Sequence, residues 1–402
     1  MDFFLAFRNL FRNGRRTAAV LLTVALGAGA LFSFNGFISG VLDEYRDSTI
    51  HSHYGFGQIN TKGYRDTVFE EPTHHWIDGS EQLQKFLLDL EEVEAVFPRA
   101  SFSALLKNGK KTVSGLGQGI EAEKEADFFH SLNVEQGETL SGQPRGILLG
   151  RGLARALDVQ PGDRVTVMAT SINEVISSTD LVVTGIFHTG SIDFDSRMFR
   201  IQLKEAQRLL KTAKIELVSL ALRDLSEWDR VAEQVEASFP ELESTSFEVL
   251  DEVYYGHSVE WLKAQFRVVQ FIILGIVLLG IFNTVSASIL ERKQEIGNFR
   301  ANGESVFQVM KLILVEGVLL AAIGGFIGIA GSFIFLKLFV DQGLSMPPGP
   351  GMTRQFLVSF HFELPMLFFT LMLSGIASVI ASFLAGIRVA KMPIAASLRA
   401  YS

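Results

Sequence analysis

The chain has 402 residues, of which 48% are hydrophobic, and a formal net charge of −8. This length allows two or three domains. The absence of cysteine excludes disulfides, thiolate metal sites and cysteine nucleophiles.

Residues 1–16 combine apolar side chains with four arginines. The apolar residues recur at helical spacing and are Phe3, Phe4, Phe7, Leu10 and Phe11. This pattern predicts an amphipathic helix lying in a membrane interface. A plain positively charged flank of the next segment is the alternative.

Four long segments are mainly apolar and carry no charge: residues 17–42, 268–290, 317–336 and 364–387. About 20 apolar residues in a helix cross the hydrocarbon core. We therefore predict four transmembrane helices, the third extending over 312–340. The first apolar run is too long for a cleaved signal peptide, so we expect an anchor that is retained.

Lysine and arginine near the span ends indicate the orientation. They cluster in residues 1–16, the loop 291–311 and the tail 388–402, whereas the loop 341–363 contains only Arg354. Both termini and the loop 291–311 are thus predicted to be cytoplasmic. Residues 43–267 then form an outer domain on the opposite side.

The outer domain is acidic and the rest of the chain is basic. The outer domain has 23 Lys and Arg against 37 Asp and Glu, a charge of −14, so the remainder carries +6. An acidic domain of this kind repels phosphate backbones and argues against nucleic acid as a partner.

The outer domain contains a faint internal repeat. Val-Glu-Ala-Val-Phe-Pro at 93–98 is similar to Val-Glu-Ala-Ser-Phe-Pro at 235–240, and both lie between an amphipathic stretch and an extended one. This predicts two β-α-β halves that form one α/β unit from 43–106 and 204–267, although so short a match can arise by chance. Strand patterns in 107–203 predict an inserted β-rich subdomain. The fold class is a four-helix membrane protein with an α/β outer domain.

No catalytic or cofactor-binding arrangement is found in the sequence. The Walker A pattern is absent, as are His-Glu-x-x-His and Gly-x-Ser-x-Gly. The pairs His51/His53 and His74/His75 are interpreted as solvated side chains rather than metal ligands. We predict no catalytic residue, cofactor or metal in this chain, and hence no enzyme.

The loop 291–311 predicts a short helix that turns at glycines. Its mixed charges and the apolar edge of Ile296 and Phe299 favour a docking element for a cytoplasmic partner, with a polar connector as the alternative. The candidate coupling residues are Glu291, Arg292, Glu295, Ile296, Gly297, Phe299, Arg300, Ala301 and Gly303.

The third and fourth spans contain an acidic residue and small residues spaced by four. We assign Glu316 a structural or coupling role rather than proton transport, because no second buried acid or histidine continues a relay. The small residues predict close helix packing and are Gly324, Gly325, Gly328, Gly331, Ala377 and Ala381. Four helices packed in this way enclose little of a channel, which favours a dimer with an identical or related chain.

The loop resembles the pattern E-R-x-x-E-I-G-x-x-R-A-x-G of bacterial ABC permeases. This superfamily includes lipoprotein-releasing, macrolide-exporting and FtsX-like proteins. The segments 148–163 and 185–195 resemble its periplasmic domain, and residues 388–399 resemble its C-terminal ending. The resemblance covers nearly the whole chain and its one-plus-three arrangement of spans.

The resemblance implies a permease subunit in a bacterial inner membrane with a MacB-like periplasmic domain. A dimer of separate ATPase subunits, which bind ATP and Mg, would dock on the loop helix and transmit movement to the periplasm. The expected substrate is a lipoprotein, lipid or other amphiphile. The alternatives are export of a peptide or drug with periplasmic partners, and FtsX-like regulation of a cell-wall hydrolase.

Two departures from the superfamily pattern concern partners. Asn302 replaces a residue that is usually apolar, and Asn298 is also unusually polar. The permease that recruits a lipoprotein carrier has a protruding arm between two strands, whereas residues 170–179 leave little room for one. We therefore predict no carrier capture by such an arm.

Overall fold

The computed structural model describes residues 14–68, 75–130, 132–252, 256–340, 342–347 and 355–390. The chain divides into two compact units. The membrane unit contains residues 1–44, 259–345 and 357–402, and the sheet unit contains 45–258 and 346–356. The helix predicted for 1–16 and the C-terminal motif lie outside the described residues, apart from 14–16 and 388–390.

The helices of the described residues are α1 Gly14–Thr49, α2 Tyr64–Thr67, α3 Ser80–Leu88, α4 Ala122–Glu125, α5 Arg151–Leu157, α6 Ile192–Arg197, α7 Leu203–Leu210, α8 Trp228–Ser238, α9 Phe247–Leu250, α10 His257–Glu291, α11 Lys293–Ala301, α12 Val306–Phe339 and α13 Leu364–Ala390. Within this part of the chain, four helices are long and apolar enough to cross a membrane, namely α1, α10, α12 and α13. The four predicted spans are therefore confirmed.

All four spanning helices extend beyond their predicted bounds, and α10 begins at His257 rather than 268. The helix α12 begins at Val306 rather than 312, because Ser305 and Gln308 form a capping box at its N-terminus. The helix α1 continues past its last apolar residue to Thr49 and is followed directly by a π-helical turn, Ile50–Tyr54. Its final turns carry the first charged residues of the outer domain.

The strands are β1 Gly57–Thr61, β2 Val93–Lys107, β3 Thr112–Ile120, β4 Asn133–Gly137, β5 Gly146–Gly150, β6 Arg164–Thr170, β7 Ile176–His188, β8 Met198–Gln202, β9 Leu217–Leu222, β10 Leu242–Ser246, β11 Leu344–Met346 and β12 Phe356–Val358. The first ten form one mixed sheet in the order β10-β1-β9-β2-β3-β8-β5-β7-β4, and β6 pairs with β2 and β7. The strands β11 and β12 pair separately.

The two β-α-β patterns lie together at one end of the sheet. The first is β1 to β2 through α3, and the second is β9 to β10 through α8. Strand β9 inserts between β1 and β2 and is antiparallel to both. The halves thus interleave rather than pack side by side.

The β-rich part predicted for 107–203 is continuous with the α/β part in one sheet. Strand β2 pairs with β9 along Val93–Arg99 and with β3 along Ala100–Lys107, so one strand belongs to both parts. A single apolar core contains Ile59 from one part and Val167 from the other. The sequence could not show this, because strand patterns do not reveal which strand is shared.

A buried carboxyl group lies at the junction of these two parts. Glu216 accepts hydrogen bonds from the Tyr64 hydroxyl at 2.5 Å and from the backbone N–H of Ser101 at 2.7 Å. Burial raises the pKa of Glu216, and the two hydrogen bonds only partly oppose this. The folded chain therefore holds this proton to a higher pH than the unfolded chain does.

The free energy of unfolding should fall as pH rises from about 4.5 towards the raised pKa of Glu216, by up to about 1.4 kcal/mol per pH unit. Glu216→Gln should remove this contribution, because glutamine stays neutral and can bond both partners. The variant should therefore gain stability relative to the wild type as pH rises. Urea unfolding of the detergent-solubilised chain between pH 5 and 8, followed by tryptophan fluorescence, measures this. A difference in the free energy of unfolding between the variant and the wild type that does not vary with pH would contradict this prediction.

Candidate coupling sites

The helix α11 presents two different faces. Ile296 is 7% exposed and Gly297 is also buried, so this face is turned into the membrane unit. The opposite face is exposed and contains Gln294, Asn298, Ala301 and Asn302, and Phe299 is exposed at the edge between the two faces. The sequence predicted an apolar edge of Ile296 and Phe299, and of these two only Phe299 is exposed, because the Ile296 side chain packs inward.

Arg292 joins α11 to the third span. Its Nη1 donates to Glu316 Oε2 at 2.7 Å, and its Nε donates to Glu295 Oε2 at 3.1 Å. The side chains of Arg292 and Glu316 are only 11% and 10% exposed. Burial alone would lower the pKa of Arg292, but the two carboxylates outweigh it and raise the pKa above its usual value. The neighbour that neutralises Glu316 is thus a member of the loop motif.

A cleft beneath α11 is lined by every spanning helix. We call it the coupling cleft. Its lining residues are Val20 of α1, Val285 and Ile289 of α10, Arg292, Ile296 and Phe299 at α11, Val309, Leu312, Ile313, Glu316, Gly317 and Leu320 of α12, and Ser382 of α13. Displacement of α11 would therefore change packing against all four spans at once, since packed interiors respond to small volume changes.

The remaining candidate coupling residues lie around this helix. Glu291, Phe299, Ala301 and Gly303 are exposed, and Glu295 and Arg300 are half-buried. Gly303 has φ +97°, a backbone conformation that glycine adopts without strain, and it turns the chain after α11. The loop motif thus has some residues that are packed against the spans and others that are exposed.

The small residues of α12 allow two neighbouring helices to approach. A Cβ added at Gly324 would lie 2.9 Å from Val24 Cβ, and one at Gly328 would meet the Ala25 backbone, both in α1. One at Gly325 would lie 2.9 Å from Leu371 Cδ2 of α13. These three glycines occupy close contacts, as expected for small residues at lipid-buried interfaces.

The other predicted packing residues differ in their surroundings. Ala377 and Ala381 of α13 are 1% and 0% exposed. In contrast, a Cβ at Gly331 would have no described atom within 4 Å, so Gly331 takes no part in packing among the described residues. Sequence spacing alone could not exclude it, because Gly331 continues the same series along α12.

A polar row on α13 was not predicted. Thr370, Ser374, Ser378 and Ser382 recur every four residues and are almost fully buried. Ser378 donates to the backbone carbonyl of Gly317 at 2.9 Å. The regular spacing of hydroxyl residues in an apolar span was the signal that could have identified this interface.

In the sheet unit, side chains of three strands bind the turn that follows α1. Arg200 of β8 donates to the carbonyl of Ser52 at 3.2 Å, and Arg99 of β2 donates to that of His53. Ser219 of β9 donates to the carbonyl of Tyr54 at 2.7 Å. Unpaired carbonyls at a helix C-terminus favour cations and donors. We call these contacts the helix-end clamp.

One carboxylate neutralises the two arginines of the clamp. Glu125 accepts from Arg99 Nε at 2.8 Å and Nη2 at 2.9 Å, and lies 3.8 Å from Arg200 Nη1. All three residues are at most 2% exposed, and the Phe129 ring lies 4.3 Å from the Arg99 guanidinium carbon. Burial, with the adjacent Arg99 charge, lowers the pKa of Arg200 to about 10, although Glu125 opposes it.

The helix-end clamp was not predicted, although the sequence contains a signal for buried ion pairs. Arg99 stands within the buried run 96–100 of β2, and Arg200 stands within the buried run 198–201 of β8. A charge at such a position predicts a buried partner. That partner, Glu125, is distant in sequence and lies in a strongly acidic segment, where no single residue is distinguished.

Two family models match the chain, one over each part of the architecture. The MacB-like periplasmic core domain matches residues 17–238, which is more than half of the chain, and the FtsX-like permease C-terminal model matches 267–394. The chain belongs to the MacB/FtsX superfamily of ABC transporter permeases. As a member of this superfamily, it is an inner-membrane permease subunit with a periplasmic sheet unit.

Individual relatives of this permease are distant. It is 24% identical over 329 residues to the lipoprotein-releasing system transmembrane protein LolC of Xylella fastidiosa, covering 79% of this chain and 75% of LolC. It is 34% identical over 107 residues to the macrolide export ATP-binding/permease protein MacB of Burkholderia pseudomallei, covering 26% of this chain and 16% of MacB. The periplasmic region of MacB from Actinobacillus actinomycetemcomitans matches with 12% identity and a TM-score of 0.37, covering 49% of this chain and 92% of that region.

Proposed function

We propose that the permease couples ATP hydrolysis by a separate cytoplasmic ATPase to movement of its periplasmic sheet unit, and thereby extracts a lipoprotein, lipid or other amphiphile. The main support for this proposal is that helix α11 has one buried face and one exposed face. One face is anchored in the spans through Ile296 and the Arg292–Glu316 pair, and the other is exposed. ATP and Mg would be bound by the ATPase dimer.

The transmission route follows from the packing of each unit. Ile296 of α11 belongs to one apolar cluster with residues of all four spans, and the coupling cleft is lined by the same helices, so we expect force on α11 to reach α1 through this cluster. The helix α1 runs without interruption to Thr49, and the turn after it is held by the helix-end clamp. A rigid helix with a fixed end transmits displacement rather than absorbing it.

An amphiphilic substrate agrees with the interior of the membrane unit. The apolar core of this unit contains Val24, Ile281, Leu320 and Ala381, and the buried hydroxyl row of α13 lies along a single helix. The LolC relative is a lipoprotein-releasing protein by name. A substrate taken from the outer leaflet would not need to enter the spans.

The periplasmic hairpin argues against carrier capture by an arm. Strand β6 ends at Thr170 and β7 begins at Ile176, so only five residues, 171–175, connect them. We therefore propose that the substrate leaves through another periplasmic surface or partner.

A second permease chain, identical or related, would complete the transporter. Half of the apolar window of α12 is buried within this chain, whereas only 17% of that of α10 is. The exposed sides of α10 would face lipid or the second permease.

Phe299→Ala should weaken binding of the ATPase roughly tenfold or more, because an aromatic side chain at the centre of an interface contributes more than most residues. The measurement is co-purification, in detergent, of a polypeptide that carries a Walker A motif. Phe339→Ala is the matched control, since Phe339 is also exposed but lies at the opposite end of α12. Equal co-purification by the wild type and both variants would contradict docking at α11.

A further inference from the structure

Three side chains near the end of α1 form a cluster suited to a metal ion. Asp47 lies in the last turn of α1, His51 lies in the π-helical turn, and His130 lies in the connection between α4 and β4. One ligand atom from each lies within 4.8 Å of those from the other two. These residues are distinct from the coupling residues and from the helix-end clamp.

The spacing of the donor atoms fits a single divalent ion after small side-chain rotations. Zinc binds histidine nitrogen and carboxylate oxygen at about 2.0–2.2 Å in tetrahedral geometry, so two ligand atoms of one ion are roughly 3.4 Å apart. Asp47 and His51 are one helical turn apart, and His51 Nδ1 lies 3.1 Å from Asp47 Oδ1. The His51 and His130 rings lie 4.6 Å apart between centroids.

The surroundings of the cluster also favour an ion. The His51 ring packs against the Phe128 ring at 4.7 Å between centroids, so one side of the cluster is apolar. The side chain of Asp47 is 58% exposed and that of His51 is 20% exposed, so ions and water have access. The negative charge of the sheet unit raises the local concentration of cations.

We infer that Asp47, His51 and His130 form a site for a divalent transition-metal ion, with Zn²⁺ as the best-matched ion. Two imidazoles and one carboxylate favour such an ion over Ca²⁺ or Mg²⁺, which prefer all-oxygen ligands. Three protein ligands leave a position for water. The bound ion joins the end of α1 to the α4–β4 connection and so stiffens the segment held by the helix-end clamp.

The paired histidines were predicted to be solvated, but His75 is buried and His51 is only partly exposed. His51 packs on Phe128, and His75 is 7% exposed, with its ring nitrogens 2.9 Å and 2.8 Å from the Thr61 and Thr67 hydroxyls. His74 lies outside the described residues. His130 is far from His51 in sequence, so spacing alone could not bring them together.

Zn²⁺ titration of the full-length chain in detergent, after treatment with a chelator and its removal, tests the site. One Zn²⁺ should bind per chain and should raise the unfolding temperature. His130→Gln and Asp47→Asn should each weaken binding by roughly 100-fold, since loss of even an outer-shell partner costs about 10–100-fold. Co²⁺ in place of Zn²⁺ should give visible absorption bands that both variants lose.

His257→Gln is the matched control, because His257 is an exposed histidine outside the cluster. It should bind Zn²⁺ like the wild type. Asp47 is largely exposed, so Asp47→Asn should fold even if His130→Gln does not. Absence of Zn²⁺ binding by the wild type, or unchanged affinity in Asp47→Asn, would overturn the proposal. Neither result bears on ATPase docking at α11.

Discussion

Glu125→Gln should destabilise the sheet unit by about 3–5 kcal/mol. This is the typical cost of removing one partner from a buried ion pair, because the remaining charge stays buried without compensation. Here the substitution leaves two cations, Arg99 and Arg200, which are 0% and 2% exposed. Glutamine can accept a hydrogen bond but supplies no negative charge, and its NH₂ group would face a guanidinium.

Urea unfolding of the detergent-solubilised chain measures this effect. Trp228, which is 6% exposed in the sheet unit, contributes a fluorescence signal. Glu123→Gln is the matched control, because Glu123 lies on the same short helix and is exposed. Its effect should stay within about 1 kcal/mol, as for other exposed charges.

The double variant Glu125→Gln/Arg200→Met distinguishes charge from packing. Removing one of the two uncompensated cations should recover part of the lost stability, because methionine fills similar space without a charge. If the double variant is instead as unstable as the sum of the two single variants, the clamp does not depend on charge balance. Additivity of this kind is measured directly by the double-mutant cycle.

The spans and most strands could be predicted from the sequence, because each is a local pattern. A charge-free apolar run identifies α13 within a few residues, and alternating β-branched residues identify β7. The ends were less predictable. The first span was ended at 42 because Asp43 is charged, but α1 continues to Thr49 with Asp43, Glu44 and Arg46 half-buried and Asp47 exposed.

The candidate sites were predictable only in part, because they depend on distant pairs. The loop motif was identified from its pattern, but the pattern did not show that Arg292 reaches Glu316 or that Ile296 is buried. The clamp depends on Arg99 and Glu125, which lie on different elements. A single sequence contains no information on which acid pairs with which base.

Arg292→Met should loosen α11 from the spans and uncouple ATP hydrolysis from periplasmic movement. Arg292 is the described cation that contacts both Glu295 and Glu316, and Glu316 is 8% exposed within the third span. Without it, Glu316 loses a buried charged partner, a change that typically costs about 3–5 kcal/mol. Arg292→Lys should restore the charge but not both hydrogen bonds, because a single ammonium group cannot reproduce the guanidinium fork.

Hydrogen exchange of the detergent-solubilised chain gives the direct measurement, since amides of α11 should lose protection in Arg292→Met while those of β9 do not. Glu316→Gln added to Arg292→Met removes the carboxylate that has lost its arginine partner and should return part of the protection. This result would mean that the Arg292–Glu316 pair anchors α11 because each charge neutralises the other. A double-mutant cycle of these two residues should then give a coupling free energy of about 1 kcal/mol or more. Unchanged protection of α11 in Arg292→Met would mean that Ile296 and the surrounding apolar contacts hold the helix alone, and that the ion pair has no part in coupling.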